Sequence, residues 1–79
     1  MKKVLLYTMA GNADGEAALA FFQARGARVD VRDVGRDGGA TLECFDLAGR
    51  LVVPTVVIDG RIFFGFGANR EEIEPLLHT

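Results

Sequence analysis

The sequence predicts an α/β domain with a mixed, four-stranded sheet and helices on both faces. Three observations indicate this class: apolar or alternating segments alternate with helical ones, Asp59-Gly60 joins the last two strands, and 49% of the residues are hydrophobic. Strands that alternate with helices favour a parallel core, whereas an Asp-Gly pair is a strong hairpin signal. We therefore expect the order β-α-β-α-β-β-α, in a single domain over residues 1–79.

The first half of the chain supplies two strands and two helices. Residues 3–8 are mostly apolar and predict a strand, and the alanine-rich segment 16–25 predicts a helix that Gly26 ends. Residues 28–32 alternate charged and apolar side chains, which is typical of a half-buried strand. After a glycine-rich loop, a shorter helix is expected over 40–48.

The second half contains the hairpin and the last helix. Residues 52–58 predict a strand with Pro54 near its start, where proline is tolerated. Residues 61–64 return antiparallel. Asn69, with Glu72 three residues later, resembles a capping box and should open the last helix, which Pro75 is expected to kink or shorten.

Composition and charge exclude several classes of partner and site. The net charge is −2 and the nine basic residues are scattered, so neither nucleic acid nor an anionic membrane is expected. The apolar run after the N-terminal lysines is too short for a signal peptide, and no segment is long enough to span a bilayer. We expect a cytoplasmic protein. A single cysteine excludes an internal disulfide, and the sequence shows no cluster that predicts a metal site.

Four short motifs resemble the glutaredoxin family. They are Tyr7-Thr8, Val53-Pro54-Thr55, Ile58-Asp59-Gly60 and Gly65-Phe66. With the order of strands and helices, the resemblance extends over nearly the whole chain. The chain is most similar to the short glutaredoxin-like redoxins. The resemblance implies a thioredoxin fold, a cis peptide bond before Pro54, and a Val53 backbone that pairs with an extended substrate or glutathione.

The chain departs from that family at the redox centre. The resemblance places the two positions of a Cys-x-x-Cys motif at Asn12 and Gly15, and the only cysteine is Cys44. Asn is a strong N-cap, so Asn12 can accept the backbone N–H bonds that stabilise a thiolate at a helix N-terminus. We therefore expect no dithiol oxidoreductase activity by the usual mechanism.

The segment 65–69 departs from the glutathione-using members. Gly65-Phe66 resembles the redoxins that thioredoxin reductase reduces, and no carboxylate stands where a γ-glutamyl group would be held. We expect no cofactor, and at most weak binding of glutathione.

Polar and thiol side chains outside the motifs each have two interpretations. Cys44 is either a displaced redox or glutathionylation site or a small apolar residue of the second helix, and the second interpretation is favoured because Glu43 and Asp46 are acidic neighbours. Asn12 and Asp14 are expected to be cap and turn residues rather than a catalytic pair. His78 is expected to be a solvated tail residue.

Three phenylalanines near the hairpin also leave two alternatives open. Phe63, Phe64 and Phe66 are either core residues of a sheet covered on both faces, or Phe66 forms an apolar lip beside Pro54.

The leading hypothesis is a binding module for a protein or peptide partner. Its ligand groove is predicted to comprise Asn12, Val53, Pro54, Thr55, Gly65 and Phe66. One alternative is residual thiol-disulfide exchange through Cys44, and another is a structural or interaction domain that binds through a helix face.

Overall fold

The computed structural model describes residues 2–78 and contains the predicted order of strands and helices. The strands and helices are β1 (Lys3–Thr8), α1 (Ala13–Ala24), β2 (Arg28–Asp33), α2 (Gly38–Ala48), β3 (Thr55–Ile58), β4 (Arg61–Phe64) and α3 (Arg70–Leu76). A 3-10 turn, Gly67–Asn69, precedes α3. Within residues 2–78, none of the helices combines the length and apolar character that crossing a membrane requires.

The four strands form one mixed sheet in the order β2-β1-β3-β4. β1 and β2 are parallel, whereas β1–β3 and β3–β4 are antiparallel. The mixed four-stranded sheet is confirmed. Its parallel part is a single pair of strands, because β3 runs opposite to β1 instead of extending the parallel core.

The two faces of the sheet are covered by different helices. Alternate residues of β1, among them Val4 and Leu6, point to the face that packs against α1 and α3. Leu5 and Tyr7 point to the opposite face, where they line a cleft with residues of α2. The core of buried side chains therefore lies between the sheet and the pair α1 and α3.

Two helices begin earlier than expected, and each has a glycine in its first turn. α1 starts at Ala13 instead of residue 16, and α2 starts at Gly38 instead of residue 40. In both helices a side chain just outside the helix accepts a backbone N–H, Asn12 for α1 and Asp37 for α2. These caps compensate for the low helix propensity of the glycines behind them. α2 ends, as expected, at Gly49 with a left-handed backbone.

The predicted capping box at Asn69 is wrong. Its side chain caps no helical N–H. Instead, the Asn69 side-chain amide donates to the carbonyl oxygens of Phe64 and Gly65, at 2.8 and 2.9 Å. The chain enters α3 from a 3-10 turn, so the Asn69 N–H already bonds to the Phe66 carbonyl. Pro75 lies in the last turn of α3.

β3 is shorter than the predicted strand because it begins after the proline. Residues 52–54 lie outside the ladder, and pairing starts at Thr55. The hairpin between β3 and β4 is confirmed at Asp59-Gly60, where both residues have a positive φ, 51° and 78°. This is the backbone that a two-residue type I′ turn requires.

Candidate functional site

The predicted groove residues meet at one end of the sheet. Tyr7, near the end of β1, pairs with Thr55 at the start of β3, and Thr55 pairs with Phe64 at the end of β4. The turn after β1, the segment before β3 and the segment after β4 therefore leave the sheet at the same edge. A hydrogen bond of 2.8 Å from the Gly65 N–H to the Pro54 carbonyl joins the last two of these segments.

Asn12 forms the N-cap of α1. Its backbone is extended, with φ −79° and ψ 110°, and its side-chain oxygen accepts the Gly15 N–H at 2.7 Å. The expected cap is therefore present, on one of the N–H groups that would otherwise be free at the helix N-terminus. The residue can hold the helix start, but it offers no nucleophile.

Asp14 connects α1 to the segment that follows β4. Its two carboxylate oxygens accept the N–H groups of Phe66 and Gly67, at 2.8 and 3.0 Å. Two consecutive backbone N–H groups form a small anion-binding site, and here an internal carboxylate fills it. The sequence shows only an acidic residue in the first turn of a helix, so this contact between residues 52 positions apart was not predicted.

Gly15 lies against Thr8 so closely that no side chain fits. A Cβ added at Gly15 would be 2.0 Å from the Thr8 hydroxyl oxygen. That oxygen is buried and has no hydrogen-bond partner within residues 2–78. The position that the resemblance assigns to a second cysteine is therefore closed by the neighbouring strand.

The segment before β3 presents the Val53 backbone. The peptide bond between Val53 and Pro54 is cis. The Thr55 hydroxyl is buried and donates to the Val52 carbonyl at 2.5 Å. In the described part of the chain, neither the N–H nor the C=O of Val53 has a hydrogen-bond partner, and the residue is only half-buried.

Phe66 contributes its backbone to this edge but not its ring. The ring is 4% exposed and packs against Phe21 and Phe22, with centroid distances of 5.1 and 5.8 Å. Of the two alternatives for this aromatic group, Phe66 takes the core position and forms no apolar lip. Gly65, with φ +87°, allows the chain to turn from β4 towards this core.

Structural comparison finds thioredoxin-like and glutaredoxin proteins with this fold. No family model matches the sequence, and no curated protein matches it. A mutant of the thioredoxin-like protein BC3987 is similar over 99% of this chain and 97% of its own, with 27% identity and a TM-score of 0.85. A glutaredoxin from Archaeoglobus fulgidus is similar over 100% of this chain and 89% of its own, with 20% identity and a TM-score of 0.81. The chain is glutaredoxin-like, with the thioredoxin fold.

A glutathione complex of buckwheat glutaredoxin shows the same fold at lower identity. It is 18% identical and covers 98% of this chain and 77% of its own, with a TM-score of 0.74. With Cys44 as its only cysteine, this glutaredoxin-like chain has no Cys-x-x-Cys pair.

Cys44 lies on the other side of the sheet from α1. Its side chain is fully buried under α2, with the sulfur 3.7 Å from the Arg50 carbonyl oxygen. A disulfide of another molecule cannot reach it while α2 stays in place. His78 is exposed beyond the end of α3, as a tail residue would be.

Next to Cys44, a polar network joins α2 to the glutaredoxin-like sheet. The Tyr7 hydroxyl donates to one oxygen of Glu43 at 2.5 Å, and Arg32 donates to the other at 2.6 Å. Burial, and secondarily the bond to Glu43, raises the pKa of the Tyr7 hydroxyl above its ordinary value. The bonds from Arg32 and then Tyr7 lower the pKa of the Glu43 carboxyl. Both oxygens of the Glu43 carboxylate are therefore bonded, and the network joins α2 to β1 and β2.

Proposed function

We propose that this chain is a binding module that accepts an extended peptide, or a thiol-containing ligand, in the ligand groove. The observation that carries the proposal is the Val53 backbone, whose N–H and C=O have no partner within residues 2–78. An extended ligand segment can satisfy both groups by adding strand-like hydrogen bonds at this edge. Half-buried polar backbone groups favour such pairing, because part of the free-energy cost of removing them from water has already been incurred on folding.

The absence of a nucleophile supports binding over catalysis. Thiol-disulfide exchange begins with attack by a thiolate, and the position at the start of α1 carries the Asn12 amide. The alternative of redox activity through Cys44 is not favoured, because that thiol is buried on the opposite face of the sheet. Binding is the part of the family's chemistry that the remaining groups support.

Beside the turn after β1, the protein has an apolar hollow that can receive a side chain of the ligand. The hollow has a volume of about 230 Å³. Its lining includes Met9, Leu19 and Val31, together with Gly15. Met9 and Val31 are 41% and 43% exposed, so a small apolar side chain would cover apolar surface that water otherwise contacts.

The Asp14 contact favours a peptide segment over free glutathione. Carboxylates of small ligands are commonly held by consecutive backbone N–H groups. Here the Phe66 and Gly67 N–H groups are already bonded to Asp14. A ligand carboxylate would have to displace that side chain, whereas an internal peptide segment carries no such carboxylate.

An amide-resolved NMR titration tests the proposal. We would titrate the chain separately with oxidised glutathione and with a mixture of extended pentapeptides blocked at both termini. The proposal predicts saturable shifts at Asn12, Val53 and Gly65 with the peptides and smaller ones with glutathione. Shifts centred on Cys44, with a mass gain of one glutathione, would contradict it and favour the redox alternative.

A pair of proline variants separates groove binding from non-specific binding. Pro54→Ala alters the residue that follows Val53, and it should lower peptide affinity by at least about tenfold. Pro75→Ala changes the other proline, which is exposed in α3, and should leave affinity unchanged. Equal affinity of both variants, with both folds intact by circular dichroism, would show that the ligand groove is not the binding site.

A further inference from the structure

Large exposed apolar side chains of this protein concentrate on and after one helix. In the described chain, six such residues are exposed: Met9, Val31, Leu42, Phe45, Leu47 and Leu51. Four of these six belong to α2 or to the residues just after it. Leu42 is 68% exposed and Phe45 is 47% exposed, which is unusual for two large apolar residues only one helical turn apart.

The orientation of α2 explains this exposure. Its buried residues, Ala40 and Cys44, are four positions apart and so lie on the face towards the sheet. The opposite side of the helix carries Leu42 and Phe45 at its centre, with a glycine near each end. We call these four residues the α2 outer face; they are Gly38, Leu42, Phe45 and Gly49. Because both ends lack side chains, another helix can approach the centre closely.

A cleft lies beside the α2 outer face, between α2 and β1. Its volume is about 650 Å³, and its apolar lining comes from Leu5, Leu42 and Leu47. Gly39 is also part of the lining and has no side chain, so another molecule can come close to the backbone on that side of the cleft. The surface therefore combines a projecting aromatic ring, that of Phe45, with an apolar recess large enough to receive such a ring.

We propose that the α2 outer face binds a second copy of this chain, with the two α2 helices antiparallel. A two-fold axis between Leu42 and Phe45 places each Phe45 ring against Leu42 of the other copy, at the rim of its cleft. A two-fold interface uses the same patch on both subunits, so the patch must be complementary to itself. The α2 outer face meets that condition, because the Phe45 ring projects on one side of the two-fold axis and the cleft lies on the other.

The charges around the patch are also complementary under this symmetry. Asp46 lines the cleft near the end of α2, and Arg36 precedes the helix. Neither has an ion-pair partner among residues 2–78. With the two-fold axis between residues 42 and 45, Asp46 of one copy lies opposite the first turn of the other copy's α2, which Arg36 precedes. Since the net charge is only −2, two copies repel each other weakly.

Sedimentation equilibrium on the full chain tests the proposal, from about 10 µM to about 1 mM. We expect a concentration-dependent monomer–dimer equilibrium, and a decrease of at least about tenfold in the association constant for Phe45→Ser or Leu42→Ser. Val31→Ser is the matched control, because Val31 is 43% exposed but lies on β2. A wild type that stays monomeric throughout, or a dimer that Val31→Ser weakens and Phe45→Ser does not, would overturn the proposal.

A charge exchange tests the antiparallel geometry separately from the apolar contact. Asp46→Arg alone should weaken association, because each added guanidinium would face Arg36 of the other copy. Combining Asp46→Arg with Arg36→Asp should restore the association constant to within about threefold of the wild-type value. A double variant that associates no better than Asp46→Arg would contradict the antiparallel arrangement.

Discussion

The two faces of the sheet are stabilised by different means. On one face, the rings of Phe21, Phe22 and Phe66 contact one another at centroid distances of 5.1 to 5.8 Å, and α1 and α3 cover them. On the other face, α2 buries only Ala40 and Cys44. Because burial of large apolar side chains dominates folding free energy, we infer that the first face carries most of the stability.

Apart from the buried ring of Tyr7, the second face relies on polar contacts to hold its helix. Glu43 of α2 accepts bonds from Tyr7 of β1 and Arg32 of β2. These bonds set the position of the helix, while its larger apolar residues remain exposed to solvent. The difference indicates that one face is built for stability and the other can be used for contacts with other molecules.

The largest expected effect compares a deletion on each face. Phe22→Ala should lower the free energy of unfolding by about 3 to 5 kcal/mol, because it removes a fully buried ring from the aromatic cluster. Cys44→Ala should lower it by only about 1 kcal/mol, because it removes a single sulfur atom from the face that α2 covers. Urea unfolding followed by circular dichroism measures both. Equal losses would show that the two faces contribute alike.

A second prediction concerns how tightly α1 packs on the sheet. Gly15→Cys should lower the free energy of unfolding by about 2 to 3 kcal/mol, because the new Cβ would lie 2.0 Å from the Thr8 hydroxyl oxygen. Adding Thr8→Ala should recover part of this loss, since it removes the hydroxyl but leaves the Thr8 Cβ 3.0 Å away. Thermal unfolding of the single and double variants measures the recovery.

The matched control is Asn12→Cys, at the other position that the resemblance assigns to a cysteine. Asn12 is only half-buried, so a cysteine fits, and the cost should be the lost N-cap, about 1 kcal/mol. A thiol at this helix N-terminus should alkylate faster than the buried Cys44. If Gly15→Cys were as stable as Asn12→Cys, Thr8 would not be what excludes a side chain at Gly15.

Asp14 provides a third comparison, within the more stable face. Asp14→Ala should lower the free energy of unfolding by about 2 kcal/mol, because it leaves the Phe66 and Gly67 N–H groups without their carboxylate. Glu16→Ala, an exposed carboxylate on the same turn of α1, should change it by less than about 0.5 kcal/mol. Similar effects from both variants would mean that only the charge near the helix N-terminus matters. Hydrogen exchange at the Phe66 and Gly67 amides directly measures how much protection these two groups lose in each variant.

Local sequence patterns were sufficient for most of the fold. The apolar run of β1, the Asp59-Gly60 turn and the Gly49 helix end are each determined by neighbouring residues, and all three appear as predicted. The start of α1 was predicted three residues late, because the side chain that caps it offsets the low helix propensity of Gly15.

The candidate site was less predictable because its decisive contacts are long-range. The carboxylate of Asp14 bonds to groups 52 and 53 residues away, and no short-range pattern contains that information. The same holds for the ring of Phe66, whose burial depends on two rings of α1. Asn69 shows the converse error: the sequence pattern of a cap is present, but the side-chain amide bonds to the carbonyl oxygens of Phe64 and Gly65 and caps no helical N–H.

The smallest expected effect is a pH dependence confined to the α2 face. The bonds from Arg32 and Tyr7 lower the pKa of Glu43 in the folded protein below its ordinary value of 4.5. A carboxyl whose pKa is lower in the folded state stabilises the fold fully above its unfolded pKa, and this contribution is lost as the pH falls. The free energy of unfolding should therefore decrease as the pH falls below about 4.5.

Glu43→Gln isolates the part of that pH dependence that belongs to the network. The variant has no carboxyl at this position, so its free energy of unfolding should fall less steeply between pH 4.5 and lower pH than that of the wild type. Urea unfolding at a series of pH values gives the two slopes. If Glu43→Gln kept the wild-type slope, the bonds from Arg32 and Tyr7 would not be what fixes α2 to the sheet, and its attachment would have to come from the apolar contacts of this face, which include Ala40, Cys44 and the buried ring of Tyr7.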